Sequence, residues 1–167
     1  MKLRNLKKVP FEIATLLAAD DTIIRLIYDD SPFALTNTTD TVSVQELINS
    51  NYIGFYPATE TGIREVDRNT FIVISLEDFT LNAQDQNTRG TGAIYITTDK
   101  AHCLLDGNKI RLLELADRIE TILDNRKLST AGELQLVTIS YVVFSDFRAG
   151  YRISFRCSDQ SSRKAEL

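Results

Sequence analysis

The feature that most constrains this chain is one strongly apolar stretch. Residues 71–74 read Phe-Ile-Val-Ile, and they lie inside Thr70–Leu81. A continuous apolar run of this kind predicts a strand that is covered on both faces. The chain therefore has to supply further elements that pack on either side of Thr70–Leu81.

The segment after this strand predicts an antiparallel hairpin with a long exposed arm. Asn82–Gly92 is polar and ends in Gly90-Thr91-Gly92, and Ala93–Thr98 then returns as a second strand. Two strands around a glycine-containing connection are typical of a hairpin. We interpret the two glycines as a flexible hairpin tip, because a dinucleotide-binding fingerprint needs a third glycine where Tyr95 stands.

A second hairpin is predicted near the end of the chain. Leu134–Phe144 and Gly150–Cys157 read as strands, and Ser145–Ala149 joins them. Within Gly150–Cys157, apolar side chains alternate with serine and arginine side chains. That alternation indicates a half-buried strand with a charged outer face.

The remaining elements are predicted from capping residues and helical periodicity. Asp20 or Asp21 is placed to cap a helical segment, because a carboxylate accepts hydrogen bonds from free backbone N–H groups. Ser43 and Glu46 form a capping-box pattern that starts a short helix. The elements predicted in this way are a helix over Phe11–Tyr28 with a break near Asp20-Asp21, a helix over Val44–Asn49, a strand over Asn51–Tyr56 and a helix over Lys109–Asn125.

Together these elements predict an α+β fold, with a mostly antiparallel sheet, helices packed on one side and a long β-hairpin arm. The length of 167 residues fits a single domain over 1–167. Within it, residues 1–9 are predicted to form a basic N-terminal arm and residues 158–167 a polar C-terminal tail.

The net charge of −4 is spread unevenly. Residues 2–8 carry four basic side chains and no acid, whereas residues 9–67 carry ten acids against two arginines. Proteins that read nucleic acids usually show a clustered basic face, so this pattern disfavours specific DNA binding. No apolar run is long enough to span a membrane, and no apolar segment of a secretory signal follows the basic N-terminus.

No catalytic, cofactor-binding or metal-ligating residues are predicted. The single histidine, His102, stands beside Cys103, and adjacent residues of an extended segment point to opposite sides. Cys103 and Cys157 fit buried, reduced thiols better than a zinc site, which usually has four close ligands. Asp20-Asp21 and Asp29-Asp30 are interpreted as caps and solvated side chains. A metal-dependent nuclease that uses such acids stays an open alternative.

The residues that we expect at an interface between subunits lie on the arm and near the last strand. Arms of this sort often become ordered by reaching onto a neighbour in a symmetric assembly. Arg152 and Arg156 share a strand face, Arg148 lies in the preceding turn, and an ion pair with a neighbouring chain fits them better than phosphate binding. The candidate interface residues are Asp78, Asn82, Gln84, Asp85, Gln86, Asn87, Arg89, Arg148, Arg152 and Arg156.

The order of these elements resembles that of neck proteins from tailed bacteriophages. IATLLAADDTIIRLIYDDSPF resembles their first helix, and NYIGFYP, TFIVISLEDFTLN and GAIYITTDKAHCLLDGNKIRLLELADRIETIL follow in a similar order. VTISYVVFSDFRAGYRISF resembles their final two strands. The similarity covers residues 10–157 and lies in pattern rather than in a short motif, and the Thr-rich segment 33–42 departs from it.

The resemblance implies a structural protein of the virion that joins head to tail, most similar to a tail terminator, with a head-closure or connector adaptor as the alternative. Proteins of that kind form rings, commonly hexamers for terminators, between the portal and the tail tube. The implied partners are copies of the chain itself and neighbouring neck, connector, tail-tube or sheath proteins. DNA passes through the lumen without specific binding, and no cofactor or membrane is involved. The implied location is the virion, after assembly in the host cytoplasm. A small adaptor that binds one partner, without a closed ring, is a further reading.

Overall fold

A computed structural model describes residues 8–38, 42–55, 63, 66–81 and 88–158. Most of the predicted N-terminal arm, the arm residues 82–87 and nearly all of the C-terminal tail lie outside these ranges. The described helices are α1 (Val9–Ala18), α2 (Asp21–Tyr28), α3 (Val44–Asn49) and α4 (Arg111–Leu123). The described strands are β1 (Ile53–Gly54), β2 (Thr70–Leu81), β3 (Thr88–Asp99), β4 (Leu104–Leu105), β5 (Lys109–Ile110), β6 (Arg126–Leu128), β7 (Gly132–Val143) and β8 (Arg148–Ser158).

Six strands form one sheet in the order β1-β2-β3-β8-β7-β6. Only β1 runs parallel to its neighbour β2, and the other pairs of this sheet are antiparallel. β4 and β5 form a separate two-stranded ribbon. The helices pack on one side of the sheet, so the predicted α+β fold is confirmed.

The two faces of the sheet bury different side chains. On the inner face, which carries the helices, Ile72 and Ile74 of β2 pack into the main core. On the opposite, outer face, Phe71 and Val73 join a much smaller cluster. β2 is therefore buried on both faces, as its apolar run predicts. The outer cluster consists of Ile63, Phe71, Val73 and Phe144.

The predicted break between the first two helices is confirmed. The carboxylate of Asp20 accepts hydrogen bonds from the backbone N–H groups of Thr22 (3.0 Å) and Ile23 (3.1 Å) at the start of α2. The same carboxylate accepts a hydrogen bond from Nε of Arg118 on α4, at 2.8 Å. One side chain thus caps α2 and ties it to α4. None of the helices in the described ranges is both long enough and apolar enough to cross a membrane.

The short helix α3 is also confirmed, whereas two other predicted elements are shorter. The hydroxyl of Ser43 accepts a hydrogen bond from the N–H of Glu46 at 3.2 Å. β1 covers only Ile53–Gly54 of the predicted strand, because Asn51 turns the chain with φ of 60°. α4 begins two residues later than predicted, because Lys109 pairs with β4 as part of β5.

The prediction that Gly90 and Gly92 form a flexible tip is wrong. β3 begins at Thr88 rather than Ala93, and both glycines pair with β2 and β8. A Cβ atom at Gly92 would lie 2.4 Å from the carbonyl oxygen of Ser75 and 2.5 Å from the Phe155 ring. Glycine is thus needed at position 92 for close packing. The arm is shorter than predicted, because residues 88–92 belong to the sheet.

The second hairpin is confirmed with longer strands. Arg148 is the first residue of β8 and not part of the turn, because β7 and β8 stay paired down to Val143 and Ala149. The three-residue strand β6, which pairs with the first residues of β7, was not predicted from the sequence. Two of its three residues, Arg126 and Lys127, are charged. The segment therefore lacks the alternation of apolar and polar residues that indicates a strand.

Two β-bulges lie on either side of one row of the sheet. One falls between Leu76 and Asp78 in β2 and the other between Leu136 and Thr138 in β7. Leu76 and Leu136 are level with each other, because both belong to the row that includes Phe155. A bulge increases the local twist of a strand, so the sheet is expected to twist most along this row.

Candidate subunit interface

The described candidate interface residues share the outer face of the sheet. Asp78 and Arg156 lie in one row of the sheet, linked through Thr91 of β3. Arg152 lies four residues before Arg156 on β8, and Arg89 lies two residues before Thr91 on β3. Residues two apart on a strand point to the same side, so all of these side chains project from the outer face. Candidates 82–87 lie outside the described residues.

Arg152 is the centre of a polar network on this face. Its guanidinium donates to Oε2 of Glu77 at 2.5 Å and to the Tyr95 hydroxyl at 3.1 Å. The Tyr95 hydroxyl donates to Oε1 of Glu77 at 3.3 Å. The hydrogen bond with Glu77 raises the pKa of Arg152 above its ordinary value. The network joins three adjacent strands, β2, β3 and β8, and balances the charge of Arg152 within the subunit.

Arg156, Asp78 and Arg89 lie closer to the hairpin connection and are exposed. Nε of Arg156 donates to the side-chain oxygen of Gln135 on β7 at 2.9 Å. Because Gln135 is neutral, this hydrogen bond does not balance the charge of Arg156. The carboxylate of Asp78 lies in the same row of the sheet but two strands away. The end of the outer face near residues 82–87 therefore presents separate charges of both signs to solvent.

Arg148 shares the outer face but is buried within the subunit, with 4% of its surface exposed. Nε donates to the carboxylate of Asp99 at 2.7 Å. The terminal nitrogens donate to the carbonyl oxygens of Ile63 at 2.7 Å and Arg68 at 2.9 Å. Arg148 thus ties Ile63, Val66 and Arg68 to the sheet, and it offers no surface for a neighbouring subunit.

Three of the four acids considered as metal ligands, Asp20, Asp29 and Asp30, make hydrogen bonds within the fold. Burial opposes ionisation of Asp20, but hydrogen bonds from Arg118 and from the N–H groups of Ile23 and Thr22 outweigh it and lower the pKa of this carboxyl. Asp29 accepts hydrogen bonds from the Ser31 N–H at 2.8 Å and the Asn37 side chain at 2.6 Å. In the described part of the chain, no three His, Cys, Asp or Glu side chains come together to hold a metal ion.

The histidine and the cysteines lie in separate environments. Nδ1 of His102 is 3.3 Å from the carbonyl oxygen of Asp30, in the turn before α4. Cys157 is buried in the main core, and burial raises the pKa of its thiol. Cys103 is partly buried at the edge of the same core. Both thiols are free, in agreement with the prediction of reduced cysteines.

Arg111 is buried, although the helical periodicity of Lys109–Asn125 predicts that its side chain faces water. Its side chain has no exposed surface. Its guanidinium donates to the backbone carbonyl oxygens of Leu26 (2.6 Å), Asp29 (2.7 Å), Ser31 (2.8 Å) and His102 (2.8 Å). These bonds fasten the end of α2 and the turn after it to the start of α4. The sequence pattern does not reveal this role, because an arginine at the start of an amphipathic helix is usually exposed.

The free edge of β7 is a second exposed surface, and the sequence pattern does not predict it. Four large apolar side chains along this strand are exposed by 43–59% of their surface. β6 covers only the first three residues of the strand, Gly132–Leu134. The pattern of Leu134–Phe144 predicts a strand but does not say whether helices cover it, so the exposure becomes visible only in the fold. The exposed residues are Val137, Ile139, Tyr141 and Val143.

Two comparisons with known proteins bear on function. A family model named YomW matches residues 20–157, which is most of the chain and almost all of the sheet. No curated protein matches the sequence. The matched region begins at Asp20, the residue that caps α2, and ends at Cys157 in β8.

Proposed function

Because this chain belongs to the YomW family, a phage family related to the Bacillus phage SPBc2, we propose that it is a structural protein of the phage neck. Copies of the chain form a ring, which we take to be a hexamer, between the portal or connector and the tail tube. The ring terminates the tail and lets DNA pass through its centre. The work of each subunit is geometric fit to its neighbours rather than catalysis.

The observation that carries this proposal is the mixed charge of the outer face. Arg152 is balanced by Glu77 within the subunit, and Arg148 is buried against Asp99. A surface that captures DNA presents several unbalanced lysines or arginines to the phosphates. The described outer face instead places Asp78 in the row of Arg156, which suits contact with protein neighbours and a lumen that does not retain DNA.

The hairpin of β2 and β3 supports contact between subunits in this proposal. Its exposed charges, Asp78 and Arg89, lie near the ends of the hairpin strands that residues 82–87 connect, and Arg156 of the adjacent strand β8 is exposed in the row of Asp78. A head-to-tail contact brings one surface of a subunit against a different surface of the next, and repetition closes a ring. We expect residues 82–87 and these three side chains to contact the next subunit.

Purified phage particles test the location. Mass spectrometry should find the chain in intact virions at a constant copy number, and symmetric averaging of particle images should place its ring in the neck. A position against the tail tube assigns the terminator role, and a position against the portal assigns the head-closure role. Absence of the chain from purified virions contradicts the proposal.

Replacement of residues 82–87 by Asn-Gly tests the role of the connection. Leu81 and Thr88 are paired across the hairpin, so a two-residue turn closes it without disturbing β2 or β3. The variant should fold with wild-type circular dichroism and fail to assemble rings on particles. A matched variant that keeps six residues, all Gly and Ser, separates the loss of side chains from the loss of length. Normal ring assembly by the Asn-Gly variant contradicts the assignment of this contact.

A further inference from the structure

The outer edge of β7 carries backbone groups that have no strand beside them in the described part of the chain. β8 pairs with one edge of β7 from Glu133 to Val143, whereas β6 pairs with the other edge only at Gly132–Leu134. The N–H of Leu136 donates to the carboxylate of Asp124 at 3.2 Å. Beyond it, alternate residues of 137–143 present their N–H and C=O groups along an open edge. Such a row is a template for pairing with another strand.

The side chains on this open edge do nothing to prevent such pairing. Residues 134–144 contain no charged residue and no proline. Edges that must remain single usually carry an inward-pointing charge, a lysine, a proline or a β-bulge. The bulge of β7 lies at Val137, at the end of the open segment next to β6, and residues 138–143 pair regularly with β8. Ile139 and Tyr141 share the inner face with Ile153 and Tyr151, yet they remain 43% and 59% exposed. The strand therefore offers apolar side chains together with unpaired backbone groups.

We propose that this edge binds β7 of a second copy of the chain, in antiparallel orientation, about a two-fold axis at Ser140. This register uses the open segment beyond the bulge of β7. It sets Ile139 of one copy opposite Tyr141 of the other, and Thr138 opposite Val142, whereas Val137 is the extra residue of the bulge and takes no part in the rows. Cross-strand pairs between β-branched residues, and between aromatic and β-branched residues, stabilise antiparallel sheets. The open segment is thus complementary to itself, and the two sheets become one sheet of twelve strands, twice the six of one copy.

Charge complementarity supports the same register. In the sheet, Arg126 of β6 pairs with Leu134 of β7. With the axis at Ser140, Leu134 of one copy lies beyond the β7 end, Val143, of the other, so the end of β6 approaches the turn between β7 and β8 of the second copy. Arg126 and Lys127 are exposed on β6, and Asp146 is exposed in that turn. Contacts of opposite charge at both ends of the joined strands favour this pairing.

This pairing goes beyond the ring proposed above and uses a different surface. A two-fold contact closes on two copies and does not repeat around a ring. The ring contacts at residues 82–87 therefore remain necessary. If both contacts are made in one assembly, the number of subunits is even.

A cysteine at the proposed axis tests the register directly. Residues opposite each other in an antiparallel pair have Cα atoms about 4.5–5.5 Å apart, which is within the reach of a disulfide. Ser140→Cys in the full chain should give a covalent dimer under mild oxidation. Thr138→Cys is the matched control, because its two copies are offset along the strands by about 13 Å and should stay unlinked. The wild type, with Cys103 and Cys157 only, controls for native thiols.

A lysine on the edge tests whether the strand holds the pair together. Val143 is 58% exposed, so Val143→Lys should leave the subunit folded and raise the dimer dissociation constant, measured by sedimentation, by roughly tenfold or more. Leu104→Lys is the control, since Leu104 is 70% exposed but lies on β4, away from this edge. It should leave the dissociation constant unchanged.

Three results overturn the proposal: a wild-type chain that is monomeric at the concentrations used for oxidation, a Ser140→Cys chain that remains unlinked, or equal dimerisation of Val143→Lys and wild type. The proposal is also overturned if Ser140→Cys is linked to no greater extent than the control Thr138→Cys. These measurements concern the free protein, whereas the ring proposal is decided by purified particles. Each can fail without the other.

Discussion

Two buried arginines lie on opposite sides of the sheet, and their charges are stabilised by different kinds of partner. Arg111 ties the end of α2 to α4 on the inner side, and its hydrogen bonds all reach backbone carbonyls. Arg148 ties Ile63 and Arg68 to the outer side and has a carboxylate partner, Asp99, at 2.7 Å. Burial lowers the pKa of Arg111, while the nearby charges of Asp30 and Asp29 oppose that shift.

The difference shows two ways of keeping a charge inside a small protein. Carbonyl dipoles that surround a guanidinium replace the water it loses, provided that every N–H finds an acceptor. A direct ion pair adds Coulomb energy, but both charges lose hydration. Arg111 is therefore expected to depend on the geometry of the backbone around it, and Arg148 on the ionised state of Asp99.

Substitution of Arg111 should give the largest effect. Arg111→Met removes the donor from one buried hydrogen bond to a carbonyl oxygen and from three partly buried ones. We therefore expect the free energy of unfolding to fall by about 3–5 kcal/mol. Chemical denaturation measures it. Lys109→Met, two residues earlier on an exposed side chain, is the control and should change stability by no more than about 0.5 kcal/mol. Similar values for both variants would show that the carbonyl cage contributes little.

Substitution of Arg148 should be somewhat less costly. Asp99 retains partial exposure and regains water when its partner is removed, so Arg148→Met should lower the free energy of unfolding by about 2–4 kcal/mol. A double-mutant cycle with Asp99→Asn measures the coupling of the ion pair. A coupling near zero would mean that Arg148, like Arg111, is held by carbonyls alone, and the contrast between them would disappear.

Acid should act on the Arg111 side through Asp29. Burial raises the pKa of Asp29, but hydrogen bonds from Asn37 and Ser31 and the charge of Arg111 outweigh it, so the folded pKa lies below the ordinary 3.8. A lowered folded pKa gives stability that is present above the unfolded value and lost as the pH falls through the folded one. Denaturation at several pH values between about 6 and 3 should show a smaller loss in Asp29→Asn than in wild type. Identical slopes would contradict this.

The cap of α3 should give the smallest effect and serves as a local reference for both arginines. Ser43→Ala removes a single exposed hydrogen bond to the Glu46 N–H and should cost about 1 kcal/mol. Ser43→Asp keeps an acceptor at the cap and should retain most of the stability. A loss as large as that of Arg148→Met would mean that α3 supports the fold well beyond its own first turn.

Local signals made much of the fold predictable. The apolar run in β2, the Asp20 cap and the Ser43 cap depend on neighbours within a few residues, and each prediction is confirmed. Gly90 and Gly92 suggested a turn, because glycine favours turns locally. Both residues instead pair within the sheet, and Gly92 leaves room for the Phe155 ring from another strand.

The surfaces were harder to predict than the elements. Arg148 was grouped with Arg152 and Arg156 as a surface residue, since charge normally indicates exposure. Its burial depends on carbonyl groups some 80 residues away in sequence, such as Ile63 and Arg68. The open edge of β7 depends on where β6 and the helices stop, which no property of its own sequence determines.

The bulge in β7 bends the strand without changing which residues of β7 and β8 are paired. Val137 is an extra residue, so β7 could lose it and still keep Leu136 opposite Phe155 and Thr138 opposite Ser154. One position in the strand is thus reserved for curvature alone. A lineage can bend or flatten this sheet by gaining or losing a single codon, without reassigning any side chain to the other side.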